Sequence, residues 1–144
     1  MRFIQEADYS MQIKNEIIKM FTDFSDTWYN SPKLIRAETT AIKQLKHWIG
    51  KRYNVNFVLS QEGENRDEYI VTCLIDMALY HLYSQSGAKD VPEHRKHRYQ
   101  DVLDWLKDAA NGNIMTDLPP LKNENGEDTG SLFFISRKPL NHKW

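Results

Sequence analysis

The stretch YIVTCLIDMALYHLY, residues 69–83, decides the fold of this chain. It is apolar over most of a helical circumference, and a helix that is apolar on all sides is buried by the elements around it. The sequence therefore predicts a central helix over about 67–84. Two residues interrupt its apolar pattern, Asp76 and His81, and each of them needs an explanation.

Two amphipathic helices are predicted before the central one. The first covers about 6–24, with apolar residues at steps of three and four: Tyr9, Ile13, Ile17, Met20, Phe21 and Phe24. The second begins at Ser31 and Pro32, because a serine side chain can cap a helix and proline suits the first helical position. It continues to about Gly50 with the apolar face Leu34, Ala41, Ile42, Leu45, Trp48 and Ile49.

The fourth predicted helix lies within PEHRKHRYQDVLDWLKDAANGNI, residues 92–114. Asp90, followed three residues later by Glu93, has the spacing of a capping box. The glycine in NGN, residues 111–113, is typical of a helix end. The inner stripe of this helix is Tyr99, Val102, Leu103, Leu106, Ala110 and Ile114.

After Ile114 the composition changes, and the chain predicts an exposed connector followed by an arm. TDLPPLKNENGEDTGS is rich in proline, glycine and acidic residues, SLFFIS at 131–136 has β character, and RKPLNHKW is basic. We predict a helical domain over 1–117 and a connector and arm over 118–144. The arm residues expected to contact a partner are Leu132, Phe133, Phe134, Ile135, Arg137, Lys138 and Trp144.

The strand predicted in the arm needs another strand, because unpaired backbone groups seek a sheet edge. Residues 57–59 are one internal alternative, and the edge of another subunit is the other. The sequence therefore predicts an all-α fold, a bundle of about four helices with an extended C-terminal arm that carries a short strand.

Composition limits the classes of function. The chain has 144 residues and a net charge of −1, so no global electrostatic field draws it to nucleic acid or anionic lipid. Its single cysteine, Cys73, excludes an intrachain disulfide and a cysteine-based zinc site. We expect neither a signal peptide in MRFIQEADYS nor a run of the ~20 apolar residues that a membrane-spanning helix needs.

His94, His97 and Asp101 form the one candidate metal site. Their spacing puts all three side chains on one face of a helix, and imidazole and carboxylate groups do bind transition metals. The neighbouring arginine and lysine residues oppose a cation, however, and the three side chains lie largely opposite Leu103. We therefore expect a solvated face and no metal.

Asp76 is predicted to form a structural ion pair, because an isolated buried carboxylate is costly. Its expected partners are Arg52 or Arg98. His81 is expected to be a hydrogen-bonded residue at the rim of the core. The chain contains neither a nucleophile elbow nor a glycine-rich phosphate loop.

Four pieces of the sequence resemble a known family. They are CLIDMALYHLYS (73–84), VPEHRKHRYQDVLDWLKDAANGNI (91–114), DLPPL (117–121) and SRKPLNHKW (136–144). Together they are similar to the head–tail connector, or joining, proteins of Mu-like phages and prophages. This resemblance implies a helical subunit that is repeated in a ring between portal and tail. It also implies contacts with its own copies and with portal and tail-junction proteins, and no catalytic residue or cofactor.

We therefore expect a structural subunit, present in the bacterial cytoplasm during assembly and then at the head–tail junction of the virion, which meets DNA only incidentally. Two alternatives remain. A small helical nucleic-acid-binding or regulatory module would show a local basic face and salt-dependent DNA affinity. An enzyme would be built around His94, His97, Asp101 or Asp76 and would carry a bound metal.

Overall fold

A computed structural model describes residues 2–22, 27–85 and 91–126 of the chain. These residues form six α-helices and two short 3-10 turns, so the all-α class is confirmed. The helices are α1 (Glu6–Gln12), α2 (Asn15–Phe21), α3 (Pro32–Ile49), α4 (Val55–Ser60), α5 (Glu68–Gln85) and α6 (Glu93–Asn111). An isolated antiparallel bridge joins Tyr53 and Pro120. The predicted strand and all seven named arm residues lie outside the described residues.

Helix α5 is the central element, as the sequence predicts. α3 and α6 pack against it and against each other. Eleven of its residues are buried: Ile70, Val71, Cys73, Leu74, Ile75, Asp76, Met77, Ala78, Leu79, Leu82 and Tyr83. Because they occupy every side of the helix, α5 has no continuous solvated face.

Helix α3 lies along α5 and begins where the sequence predicts, with Ser31 at the N-cap and Pro32 at the first helical position. The Ser31 side chain makes no capping hydrogen bond, so that part of the prediction is wrong; the residue is buried, and its carbonyl accepts from the Ile35 N–H at 3.0 Å. The buried stripe is Leu34, Ala37, Glu38, Ala41, Leu45 and Ile49. Trp48 lies beside this stripe and stays 39% exposed.

The segment predicted as one helix over 6–24 forms two helices, and the prediction of a single apolar face is wrong. Ile13 has extended backbone angles (φ −147°, ψ 145°), a conformation that β-branched residues favour, and α2 restarts at Asn15 in a new orientation. As a result Ile18 is buried, whereas Ile17 is 37% and Met20 58% exposed.

Helix α4 occupies a segment that the sequence offered as a strand. The Asn54 side chain accepts a hydrogen bond from the Phe57 N–H at 3.1 Å and caps the helix, while Val55 and Val58 face the core. Residues 57–59 are therefore helical and present no strand edge to the arm.

The two ends of α6 differ in how well the sequence predicts them. Gly112 adopts a left-handed conformation (φ 72°) and ends the helix as predicted. Its N–H donates to the Ala109 carbonyl at 3.2 Å, and the Asn113 N–H donates to the Asp108 carbonyl at 2.9 Å, which is a Schellman motif. At the other end the N-cap is Pro92 and not Asp90, which lies outside the described residues.

Residues 118–121 continue to contact the helical body after α6. Leu118 is buried, the Asn54 N–H donates to the Pro119 carbonyl at 2.8 Å, and the Leu121 N–H donates to the Arg52 carbonyl at 2.9 Å. This segment, which we call the strap, fastens the start of the connector to the loop between α3 and α4. The predicted division of the chain at 117 falls just before it.

Candidate functional site

A buried polar cluster joins α1, α5 and α6 around Asp76. The carboxylate accepts hydrogen bonds at its Oδ1 atom from Arg98 Nε at 2.9 Å and from Gln12 Nε2 at 3.3 Å. A second guanidinium, that of Arg95, lies with Nη1 3.6 Å from the same oxygen. The Asp76 side chain is 6% exposed, so its charge is compensated inside the protein.

Sequence reasoning missed two members of this cluster, Gln12 and the charged residue Arg95. Its side chain is 8% exposed, and Nη2 donates to the Gln12 carbonyl at 3.4 Å, while Nε has no hydrogen-bond partner among the described residues. The helical spacing contained the signal. Tyr99 lies three residues before Val102, and Arg95 lies four residues before Tyr99, so Arg95 continues the same stripe. The inner stripe of α6 therefore begins with a charged residue.

Arg52, the other predicted partner of Asp76, lies elsewhere. A Cβ atom at Gly112 would come 2.5 Å from Arg52 Nη2, which places that guanidinium at the C-terminal end of α6. At 1.5 Å per residue, positions 98 and 112 of this helix are roughly 21 Å apart. The structure thus assigns Arg98 and Arg95, rather than Arg52, to the Asp76 carboxylate.

A second buried carboxylate, Glu38 on α3, fixes the N-terminal segment. The Glu38 carboxylate accepts hydrogen bonds from Arg2 Nη2 at 2.6 Å and from the Tyr9 hydroxyl at 2.8 Å. The Arg2 guanidinium also lies 3.7 Å from the centre of the Tyr29 ring. Burial, followed by the Glu38 charge, raises the pKa of Tyr9 well above its ordinary value, so its hydroxyl remains a donor. Both buried carboxylates are thus held by several donors, as structural ion pairs are.

The candidate metal residues lie on the solvent side of α6. His94, His97 and Asp101 are exposed, and His97 Nε2 is 3.7 Å from Glu93 Oε2. In the described ranges no three histidine, cysteine or acidic side chains are grouped closely enough to hold a metal ion. Cys73 is buried, and desolvation raises the pKa of its thiol to about 12, which disfavours the nucleophilic thiolate.

His81 takes part in a chain of side-chain contacts between α3, α5 and α6. Its Nε2 lies 2.6 Å from Gln44 Oε1, and Gln44 Nε2 donates to the Tyr99 hydroxyl at 2.9 Å. The Tyr99 ring stacks on Tyr80 with centroids 4.0 Å apart. Burial lowers the pKa of His81, so the neutral imidazole is the form that fits this site.

Replacing His81 with glutamine is expected to make the stability of the protein fall less steeply as the pH is lowered. The unfolded chain binds a proton at His81 at higher pH than the folded chain does, so stability from this residue is complete above about pH 6.5 and declines as the pH falls below that value. The midpoint of thermal unfolding, measured from about pH 7.5 to about pH 5, tests this expectation. His47→Gln, at an exposed position, is the control, and equal slopes for H81Q and the unaltered chain would contradict it.

One surface region combines an exposed tyrosine and a partly buried tryptophan with a cavity. Tyr69 and Trp105 contact each other edge to face, with ring centroids 4.9 Å apart, beside a cavity of about 320 Å³. Tyr69 is 51% and Met115 98% exposed. We call this region the aromatic cleft; it is lined by Asp67, Tyr69, Ile70, Trp105, Met115, Thr116, Asp117 and Leu118.

The helices in the described part of the chain are all too short or too polar to cross a bilayer. In a comparison with known families, the family described as Bacteriophage Mu, Gp36 matches residues 4–133. No curated protein and no solved structure matches the chain. The family match covers all six helices and extends into the connector.

Proposed function

The chain belongs to the bacteriophage Mu Gp36 family, and on that premise we propose that it is a structural subunit of a phage or prophage head–tail junction. The single observation that carries this proposal is the extent of the family match, from residue 4 to residue 133. The helical body and most of the connector are therefore one inherited unit in a phage protein. In this proposal the chain acts through protein–protein contacts and catalyses no reaction.

The surface of the helical body supports a role in protein contacts. Met11 is 87% and Phe57 52% exposed, in addition to Tyr69 and Met115 in the aromatic cleft. Single exposed apolar side chains are common, but a cluster of exposed aromatic and methionine side chains is typical of an interface. Each of the two buried carboxylates interacts with several donors within the chain, which favours a structural role for them.

The proposed assembly is a ring of identical copies between portal and tail-junction proteins. A head-to-tail contact closes into a ring when the rotation between copies permits it, and an apolar arm that adds to a neighbour supplies such a contact. In this proposal the arm residues Leu132, Phe133, Phe134, Ile135, Arg137, Lys138 and Trp144 make that contact. The chain is then present in the bacterial cytoplasm before assembly and at the junction of the virion afterwards, with DNA as an incidental neighbour.

Deleting residues 122–144 is expected to abolish higher assembly and to leave the helical body folded. The truncated chain keeps the strap, including the hydrogen bond from Leu121 to Arg52. Light scattering over a wide concentration range should give a mass that rises for the full chain and stays monomeric for the truncated one. A full chain that is monomeric at every concentration and binds DNA in a salt-dependent way would contradict the proposal and favour the nucleic-acid-binding alternative.

A point variant separates the apolar arm from the rest of the deleted segment. Phe133→Asp is expected to lower the assembled mass as the deletion does, because one face of an added strand must be buried. Thr129→Asp, which adds the same charge in the connector, serves as the matched control. Normal assembly of F133D would contradict strand addition while leaving the junction role open to test by the deletion.

A further inference from the structure

The aromatic cleft is built from three parts of the chain that meet at one end of the helical body. Tyr69 comes from the start of α5, Trp105 from α6, and residues 115–118 from the turn that leads into the strap. Tyr69 and Met115 expose large apolar surface at its mouth, and Leu118 closes its inner side. The cleft therefore offers an aromatic pair and a flexible thioether to an incoming side chain, a combination suited to an aromatic or aliphatic group.

The rim of the cleft is acidic. Asp67 and Asp117 line it directly. Asp101 and Asp108 lie four residues before and three residues after Trp105, which puts them on the same face of α6 as the indole ring. The Asp67 carboxylate is fixed in place, since it accepts the Ile70 N–H at 3.0 Å. An occupant with an apolar end and several positive charges would match both the walls and the rim.

The chain itself contains a segment with that chemistry. Its last eight residues, RKPLNHKW, carry Arg137, Lys138 and Lys143 and end on Trp144. Residue 126, the last described one, precedes Arg137 by eleven positions, a span of up to ~36–40 Å when extended. This is longer than the ~27 Å of an 18-residue helix such as α5. The segment is thus long enough to reach a cleft on its own chain or on an adjacent copy.

We propose that the aromatic cleft binds residues 137–144 of this chain, with Trp144 between Tyr69, Trp105 and Met115 and the basic side chains facing the acidic rim. The aromatic contact supplies specificity for the end of the segment, and the charges set its direction. This binding concerns only the position of the C-terminal segment, and it holds whether or not the chain forms a ring.

Site-specific crosslinking of the full chain tests this proposal. Trp144 is replaced by photoreactive benzoylphenylalanine, the protein is irradiated, and the crosslinked peptides are identified by mass spectrometry. The expected products join position 144 to residues 67–70, 105 or 115–118. Met11, which is 87% exposed and lies outside the cleft, reports non-specific capture. Crosslinks that favour Met11, or that are spread over the surface, would overturn the proposal.

The mass of the crosslinked product separates this inference from the proposed function. A product of twice the chain mass places the segment of one copy in the cleft of another, as a ring requires. A product of single mass, crosslinked at the cleft, supports the cleft as the binding site and counts against an arm exchanged between copies. An excess of free peptide RKPLNHKW should suppress either product, and a peptide with the same residues in scrambled order should not.

A charge reversal tests the acidic rim. Asp117→Lys is expected to lower the crosslink yield about five- to tenfold, because it replaces an attraction by a repulsion at the mouth of the cleft. Adding Lys138→Asp to this variant should restore much of the yield. Glu93→Lys makes the same change of charge at an exposed position near the other end of α6, roughly 18 Å from Trp105, and should leave the yield within about twofold. Equal losses for D117K and E93K would overturn the assignment of the rim.

Discussion

Replacing Asp76 with asparagine is expected to destabilise the protein by about 3–5 kcal/mol, the largest effect of any single change considered. The substitution keeps the volume of the side chain but removes the charge that compensates Arg95, whose guanidinium is buried beside α1 and α5. A buried charge without a partner costs far more than a lost surface pair. Urea unfolding, with the slope of the transition unchanged, gives the free energy directly.

Two controls define what this result means. Arg98→Gln removes the other guanidinium from the same carboxylate, but that side chain is 50% exposed, so a loss below about 1 kcal/mol is expected. The double variant Asp76→Leu with Arg95→Met should recover most of the stability, because an apolar pair of similar volume replaces both charges. If D76N and R98Q were equally destabilised, the cluster would be a surface ion pair and the burial of Arg95 would be unimportant.

Replacing Leu106 with alanine is expected to cost about 2–5 kcal/mol. Leu106 is fully buried on the inner stripe of α6, where this helix packs against α5 and α3. Removing the isobutyl group leaves a cavity that the surrounding helices fill only in part. The matched control is Leu103→Ala on the same helix, where the side chain is only partly buried and the loss should be smaller.

Chemical unfolding of both leucine variants measures the orientation of α6. A larger loss for L106A than for L103A fixes the inner face on Val102, Leu106 and Ala109. The reverse order would mean that α6 is rotated by about one residue, or 100°, and that Trp105 points away from the core. The set of residues that line the aromatic cleft would then be different.

The long helices could be predicted from the sequence because their local signals agree with one another. The central run around Leu74 is apolar on all sides, Pro32 starts α3, and Gly112 ends α6. In each case the side-chain pattern, the preferred backbone conformation and the packing in the fold point the same way. The all-α class and the helix order follow from these three helices.

The break at Ile13 could not be predicted from periodicity. Ile17 and Ile18 are adjacent isoleucines; Ile17 lies four residues after Ile13, and Ile18 lies seven residues after Met11, so each one follows an apolar residue at helical spacing. Only the packing of α2 against the body decides that Ile18 is buried and Ile17 half exposed. Spacing alone therefore favoured a helix that the fold interrupts.

The polar cluster and the aromatic cleft show a second limit of prediction from the sequence. A buried arginine such as Arg95 has the spacing of a core residue but the composition of a surface residue, so a search for apolar stripes passes over it. Trp105 has the spacing expected of a core aromatic residue, yet its ring contacts Tyr69 at the surface. In both cases the deciding information is a neighbour on another helix, which the pattern of one helix does not contain.

The strap has a mechanical consequence for any load carried by the arm. A pull on residue 122 first meets the hydrogen bond from Leu121 to Arg52, and then the one between Pro119 and Asn54. Tension is therefore passed into the loop that joins α3 and α4 before it reaches the end of α6. The load is applied to the body near the C-terminal end of α3. The short segment between Gly112 and Leu118 carries no tension until those two hydrogen bonds break.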